Sequence, residues 1–258
     1  MVALKSLAAA SLAVFPAVSL AEQIFYNNGT LDGWDNIGEE HDGTVEEVTD
    51  NVFAGESALK MSQTYDEDYD GRYHSEAGYK DGYTRGDERF YGFAFRLADD
   101  WEFGDQGYNL AQFIAQRDGA PCDDEWMPST MISLKGDKLE ARIVYGNYRE
   151  PDCTRDMSKF KQLVSVTPGD WHTVVLQANW ESDESGVFKM WFNGDVIVDK
   201  SGVATTLNDD ENFQFRVGLY ANGWHDDGEM EGDQPTREVW YDEVAIGSSY
   251  EEVEPKKD

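Results

Sequence analysis

Short hydrophobic runs recur along this chain with a period of two, and none lengthens into a helical pattern. QIFYN (23–27), ALKMSQTY (58–65), RFYGFAFRL (89–97), LAQFIAQ (110–116) and MISLKG (131–136) each read as a strand. So do KLEARIVYG (138–146), HTVVLQANW (172–180), VFKMWFNG (187–194), FQFRVGLYA (213–221) and REVWYDEVAIG (237–247). Asn193-Gly194 suits a tight hairpin into DVIVD because both central residues tolerate positive φ, and Gly136-Asp137 suits a second hairpin. So many strands without a helix or an internal repeat predict an all-β fold. The expected architecture is a two-sheet sandwich of β-jelly-roll or concanavalin-like type, in one domain over residues 22–258. The polar end EEVEPKKD is expected to fray.

Residues 1–21, MVALKSLAAASLAVFPAVSLA, have the pattern of a secretory signal peptide. Lys5 opens it, an apolar run follows, and small residues end it. That run is too short to span a bilayer, so the expected product is an extracellular protein with no membrane partner. A net charge of -31 excludes nucleic-acid binding over the general surface, which needs clustered Lys and Arg. Such charge favours a soluble monomer. An anionic substrate remains open where cations gather, as at Arg72, Lys80, Arg85 and Arg89, although pairing with neighbouring acids explains that run equally. Two cysteines, Cys122 and Cys153, imply one disulfide in an extracellular chain. It would close a loop of about 30 residues and stabilise by roughly 3–4 kcal/mol in the chain-entropy model.

Three segments carry polar groups where a core strand would not. In FRVGLYANGWHDDG (215–228), Arg216, Gly218, Tyr220 and Asn222 alternate onto one face. In GRYHSEAG (71–78), Arg72, His74 and Glu76 share a face, which is therefore solvated or a site, because unpaired charge is too costly to bury. In YNLAQFIAQ (108–116), Leu110, Gln112, Ile114 and Gln116 share a face that amides interrupt. With Arg142, these groups suit a concave groove for an extended, polar polymer. Trp224 is a candidate sugar platform and His225 a candidate sugar ligand. Trp180, Trp191, Trp240 and His172 read as packing residues.

GRYHSE, YNLAQFIAQ, PGDWHTVVLQANW, KMWFNGD, FRVGLYANGWHDDG and EVWYDEVAIG together resemble polysaccharide lyase family 20, the fungal glucuronan lyases. The resemblance spans nearly all of 22–258. It implies a β-jelly roll that cleaves the anionic polysaccharide β-1,4-polyglucuronate by β-elimination and carries a structural calcium. The cleft residues it implies are His74, Gln112 and Tyr220, each on one of the three polar strand faces. Alginate lyases of similar fold use an arginine–glutamate–arginine strand, a glutamine–isoleucine–histidine strand and a tyrosine–lysine strand. Here the histidine sits at 74 on the first strand and the lysine is missing, which disfavours alginate. The calcium, joining the first strand to the last, would fall to Asn28, Glu56 and Asp242. Asn28-Gly29-Thr30 is also a glycosylation sequon.

Elimination from a uronate requires three things: the carboxylate neutralised, the C5 proton removed and O4 protonated. Gln112 can donate to the carboxylate, with Arg72 or Asn222 assisting. C5–H and O4 lie on one side of a β-1,4-linked glucuronate. Tyr220 can then serve as base and acid in turn, provided His74 or an arginine lowers its pKa. The other division makes His74 the base and Tyr220 the acid. Two rival functions stay open, a lyase for alginate or another polyuronate and a non-catalytic lectin. Hydrolysis is disfavoured, because no Glu-x-Asp-x-x-Glu pattern supplies paired carboxylates on a strand.

Overall fold

Period-two alternation sorts the strands into two antiparallel sheets whose apolar faces meet. The computed structural model describes residues 22–116, 122, 126–149 and 151–257, so the expected signal peptide lies outside the described residues. The first strands are β1 (Gln23–Asn27), β2 (Asn36–Glu39), β3 (Thr44–Val48), β4 (Ala58–Thr64) and β5 (His74–Tyr83). Next come β6 (Glu88–Leu97), β7 (Gly107–Gln116), β8 (Trp126–Lys135), β9 (Lys138–Tyr145) and β10 (Asp156–Ser165). The last are β11 (Trp171–Asn179), β12 (Gly186–Phe192), β13 (Asp195–Val203), β14 (Phe213–Tyr220) and β15 (Thr236–Gly247). Helix α1 (Asn222–Asp227) follows β14, and α2 (Tyr250–Val253) follows β15.

One sheet has the order β13-β12-β11-β6-β15-β4-β3, with β1 also paired to β15, and the other the order β10-β9-β8-β7-β14-β5-β2. This is the two-sheet jelly-roll sandwich that the strand count implies. The strands not anticipated from sequence, β2, β3 and β10, all lie at sheet ends. Edge strands tolerate charged and polar residues on both faces, so they carry little alternation to read. The Asn193-Gly194 hairpin forms as expected, with φ of 50° and 84°.

Aromatic rings fill the space between the sheets. Tyr83 stacks on Trp180 at 3.8 Å and on Phe213 at 4.7 Å, and Phe113 lies against Tyr91 and Phe215. Each such pair contributes about 0.5–1.5 kcal/mol beyond its buried area. The hydroxyl of Tyr241 on β15 donates to the carbonyls of Leu110 on β7 and Gly218 on β14, both at 2.8 Å, and so ties one sheet to the other. A disulfide joins Cys122, between β7 and β8, to Cys153, between β9 and β10.

The C-terminal segment does not fray at once: α2 buries Val253 to 1% exposure against Val175 and Ala245. An apolar residue within EEVEP supplies the anchor. Leu110 does not share a face with Gln112. The pairing of β7 with β8 shifts between Asn109 and Ala111, and this irregularity turns Leu110 into the core.

Candidate active site

The face of the β10–β2 sheet turned away from the core lines a groove of about 870 Å³. Strand register sets its floor. Arg216 on β14 pairs with Gln112 on β7, Gln112 with Met131 on β8, and Met131 with Arg142 on β9, which makes one row across the sheet. At the end of β14, Tyr220 pairs with His74, the first residue of β5. Their rings stack with centroids 3.8 Å apart.

Two residues outside the strands complete that end. Arg72, just before β5, donates from Nη1 to the Tyr220 hydroxyl at 2.5 Å. Glu40, just after β2, places Oε2 at 2.7 Å from His74 Nδ1. Burial alone would raise the Glu40 carboxyl. The hydrogen bond and charge of His74, with the field of Arg72, outweigh burial and hold it below the usual carboxylate range. An ionised carboxylate only accepts, so Nδ1 carries the hydrogen and Nε2 of a neutral ring keeps its lone pair.

Tyr220 is 6% exposed. Its burial pushes the phenol above the ordinary value, and the opposing charge and hydrogen bond of Arg72 recover only part of the shift. The condition set for a tyrosine base, a lowered pKa, is therefore not met in the free protein, because desolvation of the phenolate wins.

Further along the groove Glu76, 2% exposed, accepts from Gln112 Nε2 at 2.7 Å and from Arg216 Nη1 at 3.3 Å. Gln112 is thus held with its nitrogen toward Glu76, and one amide hydrogen remains for a ligand. Arg216 also donates to Gln214 and lies 5.2 Å from the centre of the exposed Trp126 ring. Asn222 reaches the groove from α1 rather than from a continued strand, and its Oδ1 is buried without a partner among the described residues.

The fold therefore brings together Arg72, His74, Gln112, Arg142, Tyr220 and Asn222. It does not bring Trp224 or His225. Residues 222–227 turn into a helix, which swings Trp224 inward to 1% exposure against Tyr73 and Tyr65. Trp224 is a core residue, and no sugar can stack on it. His225 donates through Nδ1 to the Gly71 carbonyl at 3.1 Å and lines a separate, smaller hollow with Tyr65 and Tyr69. Of the basic run only Arg72 faces the groove. Lys80, Arg85 and Arg89 pair with Asp35, Asp210 and Asp87, as ordinary surface cations do. His172 is a packing residue as expected, buried and bonded to Thr167. Sequence reading did not find Glu40, whose partner lies far along the chain, nor the groove aromatic Trp126.

The three calcium candidates lie on adjoining segments. Asp242 is fully buried and accepts from the backbone N–H groups of Phe53 and Ala54 at 3.0 Å and of Glu243 at 2.8 Å. Asn28 and Glu56 are exposed, on loops that meet where a Cβ on Gly29 would come within 2.2 Å of the Ser57 carbonyl. Oxygen donors alone suit calcium. Among the described residues no three Asp, Glu, His or Cys side chains gather around a common point, so an ion there would also draw on Asn28 and on backbone carbonyls.

A family model for polysaccharide lyases matches residues 26–245. The chain belongs to the polysaccharide lyase family. Among solved structures it is similar to the endo-β-1,4-glucuronan lyase of the fungus Trichoderma reesei. The identity is 55% and the TM-score 0.90, covering 92% of this chain and 100% of that one. A PL-14 alginate lyase from the marine Aplysia kurodai shares the fold at 10% identity and a TM-score of 0.56, over 88% and 99% of the two chains. Cellulose induced protein Cip1 does so at 16% identity and 0.51, over 82% and 88%. No curated protein matches the chain significantly.

Proposed function

We propose that this protein cleaves β-1,4-linked polyglucuronate by β-elimination, leaving an unsaturated uronate at the new chain end. The observation that carries this reading is the linked set Glu40–His74–Tyr220–Arg72 beside Gln112, in a groove open enough for a polymer. The 55% identity to a glucuronan lyase supports glucuronan over other polyuronates.

In this reading Gln112, with Arg72, receives the sugar carboxylate and stabilises the charge that develops as C5 loses its proton. His74 Nε2 takes that proton. The electron pair forms the C4–C5 double bond, the C4–O4 bond breaks, and the Tyr220 phenol gives its proton to O4. The raised phenol pKa supports Tyr220 as the acid, and the carboxylate on Nδ1 supports His74 as the base. The two rings are stacked, so both groups can serve one side of the sugar, as syn elimination requires. Asn222 and Arg142 contact the polymer.

The test is incubation with polyglucuronate and a panel of other polyuronates, read by absorbance near ~235 nm from the unsaturated product. Strong signal on polyglucuronate is expected. Reducing ends without that absorbance would mean hydrolysis, and binding with neither signal would mean a lectin.

Three further properties belong to the same reading. A structural calcium would be held by Asp242 with Asn28 and Glu56, and it takes no part in elimination. Chelation should then lower the melting temperature, because an ion bound only by the folded state stabilises it. Lost turnover at an unchanged melting temperature would refute that role. The Cys122–Cys153 disulfide supports an extracellular setting, which the protein's absence from culture medium would refute. The acidic excess supports a monomer, and a dimer mass in solution would overturn it.

A further inference from the structure

Arg142 is a groove cation that elimination at one sugar leaves unused. It lies in the same cross-strand row as Gln112, with Met131 of β8 between them. At the usual strand spacing of about 4.8 Å, their backbones stand about 10 Å apart. The Nε of Arg142 is buried and has no hydrogen-bond partner among the described residues. The other groove guanidiniums are engaged: Arg72 on Tyr220, Arg216 on Glu76 and Gln214, Arg155 on Met127. No carboxylate of the described residues forms an ion pair with Arg142, in a chain where 52 Asp and Glu face 21 Lys and Arg. Burial lowers its pKa, Arg155 adds to that, and Asp226 and Tyr220 oppose it from a distance. A desolvated cation without an anion is unfavourable, and in so acidic a protein a side-chain partner would have been easy to supply.

We propose that Arg142 receives the carboxylate of a second uronate, a neighbour of the sugar that loses its C5 proton. The inference rests on the polyuronate reading above. Gln112 and Arg72 serve the reacting carboxylate, and Arg142 stands two strands further across the groove. A guanidinium fork matches the two oxygens of a carboxylate and gains little from the primary alcohol of a neutral hexose. The groove therefore selects stretches in which uronates follow one another.

Steady-state kinetics on Arg142→Met, followed through the unsaturated product, test this. KM for polyglucuronate should rise by about tenfold or more, the range of a charged hydrogen bond, while kcat falls far less. Arg142→Lys should recover part of the loss. Partial reduction of the polymer's carboxyls to alcohols should raise KM more for the wild type than for Arg142→Met. An unchanged KM overturns the proposal. A kcat loss as large as that of Gln112→Ala also overturns it, because it would put Arg142 at the reacting sugar. Should Arg142→Met not fold, Arg142→Gln and Arg142→Lys carry the same comparison. If the wild type makes no unsaturated product, the lyase reading fails on its own. Calorimetric titration with polyglucuronate then still tests Arg142, with about tenfold weaker binding expected of the variant and equal Kd overturning the proposal.

Discussion

The two sheets turn different faces away from their shared core. On the sheet built around β6 and β15, that face is largely sealed. Trp240 packs with Ala58, Ala98 and Trp171, with Lys60 and Arg96 lying 5.7 Å and 5.4 Å from its ring centre. Val253 of α2 covers Val175 and Ala245 nearby. On the sheet built around β7 and β14, the equivalent face stays open and carries Arg72, His74, Glu76, Gln112, Arg142 and Tyr220. The same alternation of side chains thus yields a packed surface on one side of the sandwich and the candidate active site on the other. What decides is whether a loop or helix covers the face. The comparison implies that chemistry and stability can be removed separately.

The largest separation should come from Tyr220→Phe, which keeps the ring stacked on His74 and deletes only the hydroxyl. If that hydroxyl protonates O4, kcat should fall by at least ~10³-fold, since the lost interaction forms chiefly in the transition state. The melting temperature should barely move. A folded variant with near wild-type turnover would remove Tyr220 from the chemistry.

Glu40 offers a sharper comparison within the open face. Its carboxylate accepts from His74 Nδ1 at 2.7 Å. In Glu40→Gln the amide can donate to Nδ1, which moves the ring hydrogen to Nε2 and removes the lone pair needed at C5. Glu40→Ala only releases the ring. The expected loss in kcat is ~10²-fold or more for Gln, the lower part of the general-base range, and less for Ala. If Ala proves as damaging as Gln, Glu40 is a tether for the loop after β2 and does not set the tautomer.

The sealed face should respond in the opposite way. Trp240→Ala removes a large, 6% exposed ring and should cost roughly 3 kcal/mol, at the low end for a buried aromatic because the site lies near solvent. For a chain of this size that is roughly 6–12 °C in melting temperature. Turnover below the new melting point should be retained. Lost turnover with unchanged stability would mean that the two faces are coupled through the core.

The open face was also the more legible in the sequence. Charges at every second residue cannot face a core, so Arg72, His74 and Glu76 announce themselves on periodicity alone, while the uncharged Gln112 and Tyr220 signal more weakly. What failed was local departure from that period. The shift at Asn109–Ala111 moved Leu110 to the other side, and the six residues of α1, too few to show a helical repeat, moved Trp224. Pairings set by topology were out of reach for another reason. Glu40 meets His74 only because β2 lies beside β5, and nothing in EEHDG points to position 74. The covering of the opposite face by Val253 is non-local in the same way.

The smallest expected effect is one of position on the pH axis. As the acid, Tyr220 must be protonated, so activity should decline as pH rises through its pKa. Burial sets that limb above the ordinary phenol value, Asp226 and Glu76 push in the same direction, and Arg72 opposes them through its charge and its hydrogen bond. Replacing Arg72 by Gln removes the opposing charge, and the shorter side chain gives up the hydrogen bond as well, so the phenol should titrate higher still and the alkaline limb of kcat should move up. If Arg72 also assists at the carboxylate, turnover at the optimum will fall as well, but the direction of the limb does not depend on that loss. A limb that stays in place in both Arg72→Gln and the wild type would assign it to some other group. A limb that moves down would refute Arg72 as the charge that favours the phenolate.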